Sequence, residues 1–115
     1  FTDWIRSIAG IDTRYNYIFT SEYEIPEWNM GHVAGYAELA MLMTPRPFMV
    51  EQGRRDGGAP PEWVADEFAR FRRHYDRLGI GSRTEIEFFD GPHTINGVGT
   101  YRFLRRHLDW PDKTP

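Results

Sequence analysis

Residues 47–89, PFMVEQGRRDGGAPPEWVADEFARFRRHYDRLGIGSRTEIEFF, decide the fold because they predict a strand, a helix and a second strand in succession. The apolar run Phe48-Met49-Val50 is typical of a strand that is covered on both faces. The run Thr84–Phe89 alternates Glu with Ile and Phe, which predicts a second strand with one wet face. Because a helix-length segment separates the two strands, we expect them to lie parallel, with the loops that follow them at one sheet edge.

The segment between the strands carries the clearest helical pattern of the chain. Apolar residues recur at alternating spacings of four and three over residues 61–78, and they are Val64, Phe68, Phe71, Tyr75 and Leu78. Prolines at positions 60 and 61 favour a helix start, and Gly79 favours its end. Acidic residues early in the segment, Glu67 among them, and arginines late in it complement the helix dipole.

The remaining segments complete an order of loop, helix, strand, helix, strand, helix. We predict a long aromatic-rich loop over residues 1–31, the helix and strand units over residues 32–111, and a tail over residues 112–115. The first helix should span residues 32–43, and the last should run from about Gly99 to Asp109 with Tyr101, Leu104 and Leu108 on one side. Two parallel strands are marginal alone, so we expect an incomplete α/β sheet whose partner strands lie in sequence before Phe1.

The composition excludes several classes of function. A net charge of −3, from 14 basic and 17 acidic residues, provides no basic footprint for nucleic acid. No run approaches the roughly 18 apolar residues of a membrane span, and without cysteine there is neither a disulfide nor a thiol nucleophile. The run Gly79-Ile80-Gly81-Ser82 precedes a strand instead of a helix, so it predicts no dinucleotide site and we expect no cofactor. Nothing in the sequence indicates a compartment.

Asp56 and His93 are the candidate catalytic residues, since each follows one of the two predicted strands within a few residues. The edge at which parallel strands end is where open α/β sheets bind ligands. An acid followed along the chain by a histidine has the order of the second half of a Ser-Asp-His relay. In such a relay the carboxylate orients the imidazole, and the imidazole acts as general base for a hydroxyl nucleophile.

No hydroxyl of the chain fits the nucleophile of that relay. Ser7, Ser21 and Ser82 all lie outside any Gly-x-Ser-x-Gly pattern, and Ser82 enters the second strand at the opposite end from His93. Thr94 and Thr100 are near His93 in sequence but are more typical of loop or cap hydroxyls.

Other interpretations of the two residues remain open. Asp56 can equally be a turn or cap carboxylate before the two prolines, and a histidine after Gly-Pro is commonly a turn residue. A metal site of His32, Asp56 and His93 is a weaker alternative, because no pair has the spacing of a helical metal motif.

Residues 40–111 resemble the C-terminal part of α/β-hydrolases, in the branch of dienelactone hydrolases and acetyl xylan esterase-like proteins. The pieces that carry the resemblance are Thr44-Pro45-Arg46-Pro47-Phe48-Met49-Val50, Gly53-x-x-Asp56, Phe89-x-Gly91-x-His93 and Phe103-Leu104-x-x-x-Leu108. The resemblance implies that Asp56 is the triad acid and His93 the triad histidine. It also implies that the serine elbow and the oxyanion-hole loop lie upstream of Phe1, in the missing N-terminal part of the same domain.

The leading hypothesis is therefore a fragment of a serine hydrolase that acts on a small-molecule or carbohydrate ester. The chain alone should be inactive, since it lacks the nucleophile. A non-catalytic binding or interaction domain with a hydrolase-derived fold is the alternative, and a metal-dependent hydrolase is a third, weaker one. Similarity of fold alone does not decide among these three functions.

Overall fold

The structure, a computed structural model, describes Arg6 and residues 33–111. The rest of the predicted loop 1–31, the tail 112–115 and His32 lie outside the described residues. The elements are helix α1 (Tyr36–Met41), strand β1 (Phe48–Gly53), helix α2 (Pro61–Arg77), a 3₁₀ turn (Gly81–Arg83), strand β2 (Thr84–Phe89) and helix α3 (Val98–Leu108). Within this part of the chain, no helix is long and apolar enough to cross a membrane.

Over these residues the sheet consists of β1 and β2, which pair in parallel from Phe48 opposite Thr84 to Gly53 opposite Phe89. The predicted strand–helix–strand unit and the parallel direction of its strands are confirmed. Since parallel strands end at the same edge, the loops after β1 and β2 begin side by side. The described chain is thus a small α/β arrangement.

Helix α2 covers one face of the sheet with the predicted apolar stripe. Four buried side chains of α2 pack with Val50 of β1 and with the alanines of α1. The four are Val64, Phe68, Phe71 and Tyr75. The Phe71 ring is centred 4.7 Å from the rings of both Phe48 and Tyr75. Leu78 is an exception to the predicted stripe, because α2 ends at Arg77 and Leu78, its C-cap, is exposed.

Helix α1 is shorter than the predicted helix over residues 32–43. Gly35 is its N-cap in an extended conformation, and the Glu38 carboxylate accepts a hydrogen bond from the Gly35 N–H at 2.8 Å. The Ala37 N–H donates to Glu67 of α2 at 2.8 Å, and Glu67 also accepts from Arg70 at 2.7 Å. Glu67 is only 2% exposed. Because its hydrogen bonds join two helices, it does more than complement the α2 dipole.

The face of β2 that carries the glutamates is partly exposed, with the Glu85 side chain 29% exposed, so the predicted wet face is covered only in part. Helix α3 lies over that face, and Glu87 accepts a hydrogen bond from the Gly99 N–H at 2.8 Å. A Cβ atom on Gly99 would stand 2.3 Å from a Glu87 carboxylate oxygen, so a larger residue there would require the flexible end of Glu87 to shift. At the other end of α3, Arg106 forms an ion pair with Glu85. The glutamates that alternate with apolar residues along β2 therefore bind helix α3.

The N-terminus of α3 is capped from β1. Gly97, its N-cap, has a left-handed φ of 80° and no side chain to offer. The carboxylate of Glu51 takes that role by accepting hydrogen bonds from Asn96 N–H at 2.9 Å, Gly97 N–H at 2.8 Å and the Thr100 hydroxyl at 2.8 Å. Glu51 thereby satisfies the N–H of the N-cap residue and of Asn96 just before it, while the N–H of Gly99 inside the first turn bonds Glu87.

The outward side of α3 carries the apolar residues that were predicted to lie on one side of the helix. Tyr101, Leu104 and Leu108 are all exposed, whereas Phe103 is buried. Helix α3 therefore docks on the sheet through Gly99, Phe103 and polar bonds to the glutamates, and its larger apolar stripe faces outward.

Phe71 is fully buried between α2 and the sheet, so its truncation tests the described core. We expect Phe71→Ala to lower the free energy of unfolding by about 3–5 kcal/mol, since it empties a fully buried aromatic site. The matched control is Tyr101→Ala on the outward side of α3, for which we expect a change within about 0.5 kcal/mol. Urea titrations followed by circular dichroism measure both. Equal losses in the two variants would contradict this packing.

The Glu51 cap also makes stability depend on pH. Burial by itself would raise the pKa of the Glu51 carboxyl, but the hydrogen bonds from Thr100, Gly97 and Asn96 outweigh it and hold the pKa below its ordinary value of 4.5. Because the folded-state pKa is the lower one, the unfolded chain binds more protons in the acidic range, and stability rises with pH there. Glu51 makes its full contribution to stability above about pH 4.5, and this contribution is lost as the pH falls through the folded-state pKa.

Glu51→Gln should therefore destabilise the protein by about 1–3 kcal/mol at pH 7, the range for loss of hydrogen bonds to a charged group. The difference from the wild type should shrink when urea titrations are repeated at successively lower pH below 4.5. A difference that stays constant from neutral to acidic pH would contradict the cap.

Candidate acid–base site

Asp56 lies in the tight turn that follows β1. Its N–H donates to the Gly53 carbonyl at 3.1 Å, and its Oδ1 accepts from the Gly58 N–H at 2.7 Å. Bonding of an Asp side chain to the backbone two residues ahead is the stabilising contact of an Asx turn. The Asp56 side chain is 11% exposed, and its second oxygen, Oδ2, is left to face the neighbouring loop. Asp56 is therefore a turn carboxylate and a partner for another side chain at once.

That partner is His93 in the loop after β2. Its Nδ1 is 2.9 Å from Asp56 Oδ2, while the His93 side chain is 88% exposed. An ionised carboxylate can only accept hydrogen bonds, so Nδ1 carries the proton in this pair. A neutral His93 ring then keeps its lone pair on Nε2, on the side of the ring away from Asp56. The structure thus brings together the two residues selected from the sequence.

Backbone hydrogen bonds join the two loops just beyond the strands. The Arg54 N–H donates to the Phe89 carbonyl at 2.9 Å, and the Arg55 N–H donates to the Gly91 carbonyl at 2.9 Å. The Arg55 side chain also forms an ion pair with Asp90. These bonds continue the parallel pairing past β1 and β2. They hold the loop of Asp56 (the acid loop) beside the loop of His93 (the histidine loop).

Gly53 allows the two loops to approach each other this closely. A Cβ atom at position 53 would stand 2.3 Å from the carbonyl oxygen of Pro92 and 2.5 Å from that of Gly91. Backbone atoms cannot yield as the end of a flexible side chain can, so a larger residue would push the histidine loop away. Gly57, the residue directly after Asp56, has nothing within 4 Å of such a Cβ position.

The hydroxyl groups near the site do not complete a relay among the described residues. Ser82 lies in the 3₁₀ turn before β2, at the opposite strand end from His93, as predicted. The Thr100 hydroxyl donates to Glu51 and serves the α3 cap. Thr94 is exposed in the histidine loop. Ser7 and Ser21 lie outside the described residues.

The metal alternative does not gain a third ligand from the described part of the chain. In Arg6 and residues 33–111, no group of three or more His, Asp or Glu side chains could hold a metal ion. Asp56 and His93 form a pair, and the proposed third ligand, His32, lies outside these residues.

Two contributors to the site were missed by sequence reasoning. Arg55 and Asp90 pair across the loops, and a signal was present in their opposite charges, two residues after β1 and one residue after β2. The effect of Gly53 lies in its close contact with Gly91 and Pro92. That contact joins positions 38 and 39 residues apart, so no local pattern reveals it.

The arrangement can accept and return a proton at the exposed edge of the sheet. Asp56 fixes which ring nitrogen of His93 is protonated, and its negative charge would stabilise the imidazolium after Nε2 takes up a proton. A carboxylate and an imidazole with these roles constitute a general base, which still requires a nucleophile or a water to act on.

Comparisons with protein-family models, with curated proteins and with solved structures find no match for this chain.

Gly53→Ala should separate His93 from Asp56, because its methyl group has no space beside the Pro92 carbonyl. We expect a loss of about 1–3 kcal/mol of stability, the range for overpacking. In nuclear magnetic resonance (NMR) spectra, we also expect altered side-chain signals of His93. Gly57→Ala is the matched control, and it should leave those signals in place. Unchanged His93 signals in Gly53→Ala would contradict the close approach of the two loops.

Proposed function

We propose that this chain supplies the acid, Asp56, and the general base, His93, of a serine hydrolase acting on carboxylic esters. The observation that carries the proposal is the 2.9 Å hydrogen bond between Asp56 Oδ2 and His93 Nδ1 at the edge where β1 and β2 end. The order of acid and histidine along the chain, each after one of two paired parallel strands, is that of α/β-hydrolases. We accordingly propose that the chain is the C-terminal portion of such a domain, similar to the dienelactone hydrolase and acetyl xylan esterase-like branch.

In this proposal His93 Nε2 removes the proton of a serine hydroxyl as the serine oxygen attacks the ester carbonyl. Asp56 stays ionised and stabilises the imidazolium that forms. His93 then gives the proton to the departing alkoxide, which leaves as an alcohol, and an acyl-enzyme remains. A water molecule that loses a proton to Nε2 attacks the acyl-enzyme, and release of the acid restores serine and the neutral imidazole.

The nucleophile and the oxyanion donors are proposed to come from sequence that precedes Phe1. Two observations support this part of the proposal. The hydroxyls of Ser82 and Thr100 are placed away from His93 or engaged elsewhere. The imidazole is 88% exposed, which leaves Nε2 accessible to a group from another segment. The substrate is proposed to be a small-molecule or carbohydrate ester that reaches this same edge.

His93→Ala and Asp56→Asn in the intact gene product test the proposal. We expect each variant to lower kcat for hydrolysis of a short-chain p-nitrophenyl ester by roughly 10⁴-fold, because loss of a relay member has that order of effect. His74→Ala is the matched control, since His74 bonds the Thr44 hydroxyl at 3.2 Å on the α2 side and should leave kcat unchanged. Hydrolysis by His93→Ala at the wild-type rate would overturn the proposal.

The non-catalytic alternative makes the opposite prediction about the upstream sequence. A relay requires serine at the elbow that precedes this segment, whereas a binding domain with the same fold could carry Gly or Ala there. An intact gene product that hydrolyses no ester and has no elbow serine would favour a binding domain.

A further inference from the structure

The loop that carries His93 spans residues 90–97, and β1 and its following turn hold it at both ends. At its start, the backbone N–H groups of Arg54 and Arg55 bond the carbonyls of Phe89 and Gly91. At its end, the carboxylate of Glu51 bonds the N–H groups of Asn96 and Gly97. The first attachment also includes the ion pair of Arg55 with Asp90. At the second, Glu51 binds the loop backbone, while a longer contact of 3.4 Å joins the Asn96 side chain to Glu87.

Between these attachments, His93 has little else to fix its position. Its side chain is 88% exposed, so packing does not hold the ring. Within the described part of the chain, its hydrogen-bond partner is Asp56. Neighbouring loop residues Pro92, Thr94 and Ile95 are exposed as well. The place of the imidazole is therefore set by where the ends of its loop are attached.

The Glu51 carboxylate is well suited to this attachment because both of its oxygens are occupied. Oε2 accepts from Asn96 N–H at 2.9 Å, and Oε1 accepts from Gly97 N–H and the Thr100 hydroxyl, each at 2.8 Å. An amide in its place would turn an NH₂ group toward a donor. The Thr100 hydroxyl could reverse its role and accept a hydrogen bond, but a backbone N–H cannot. Replacement by Gln thus removes at least one attachment with almost no change in side-chain volume.

We propose that Glu51 is a positioning residue for His93, which holds the C-terminal end of the histidine loop on β1 and thereby keeps Nδ1 against Asp56. The importance of Glu51 to catalysis rests on the function proposed above. Its positioning role is argued from its hydrogen bonds with the end of the histidine loop. Glu51 touches neither His93 nor Asp56. It acts through residues 96 and 97, three and four positions beyond the imidazole.

The test reads the tautomer of His93 in the intact gene product, which a general loss of stability does not change in a folded molecule. Long-range ¹H–¹⁵N NMR spectra at pH 8.5, where an unperturbed imidazole is neutral, distinguish Nδ1–H from Nε2–H. The signals are assigned by their absence in His93→Gln. In the wild type, we expect the Nδ1–H form to dominate, because Asp56 accepts that proton.

In Glu51→Gln, the ratio of Nδ1–H to Nε2–H should fall roughly 10-fold, the order expected when the geometry of one charge-assisted hydrogen bond is lost. Glu85→Gln is the matched control, since Glu85 lies on the same sheet face and pairs with Arg106 at the far end of α3. Its ratio should equal that of the wild type. Glu51→Asp, which keeps the charge but retracts it by one methylene, should give an intermediate ratio, and it serves as the test variant if Glu51→Gln does not fold.

An unchanged ratio in the folded Glu51 variants, or an equal fall in Glu85→Gln, would overturn the positioning role. Failure of the proposed function has a separate signature. If His93→Ala left ester hydrolysis intact while Glu51→Gln still shifted the tautomer, the positioning role would stand and the serine hydrolase would not.

Discussion

The site depends on the parallel pairing of β1 with β2 continuing for two residues beyond the strands. The Arg54 and Arg55 N–H groups reach across to the histidine loop, and Gly53 leaves the space in which the Gly91 and Pro92 carbonyls lie. Asp56 and His93, 37 residues apart in sequence, meet at 2.9 Å because of this contact. A side chain at position 53 would act on the site without touching either functional group.

The second constraint is the use of sheet carboxylates to hold a helix. Glu87 accepts a hydrogen bond from the Gly99 N–H in the first turn of α3, and Glu51 accepts one from the N–H of the left-handed N-cap Gly97, which has no capping side chain of its own. The same face that fixes α3 therefore also fixes the end of the histidine loop. This shared use connects the stability of the fold to the placement of the proposed general base.

Sequence reasoning was most successful where a local period determines the structure. The stripe Val64, Phe68, Phe71 and Tyr75 and the runs of β1 and β2 were predicted, and from their order so was the meeting of the Asp56 and His93 loops. The partial cover of the Glu87 face by α3 was not predicted, because alternation of residue types indicates which residues share a face but not whether a helix lies over it. The missing N-cap before α3 was a usable signal. It indicates that a cap must come from elsewhere, but not that Glu51 provides it.

Whether this acid–base pair serves a serine is the central claim, and covalent labelling tests it most directly. The intact gene product is treated with a fluorophosphonate, and mass spectrometry identifies the modified residue in the wild type and in His93→Ala. The account predicts one labelled serine upstream of Phe1 in the wild type and loss of that label in His93→Ala. A wild type without a labelled serine, or a label that forms equally fast without His93, would contradict it.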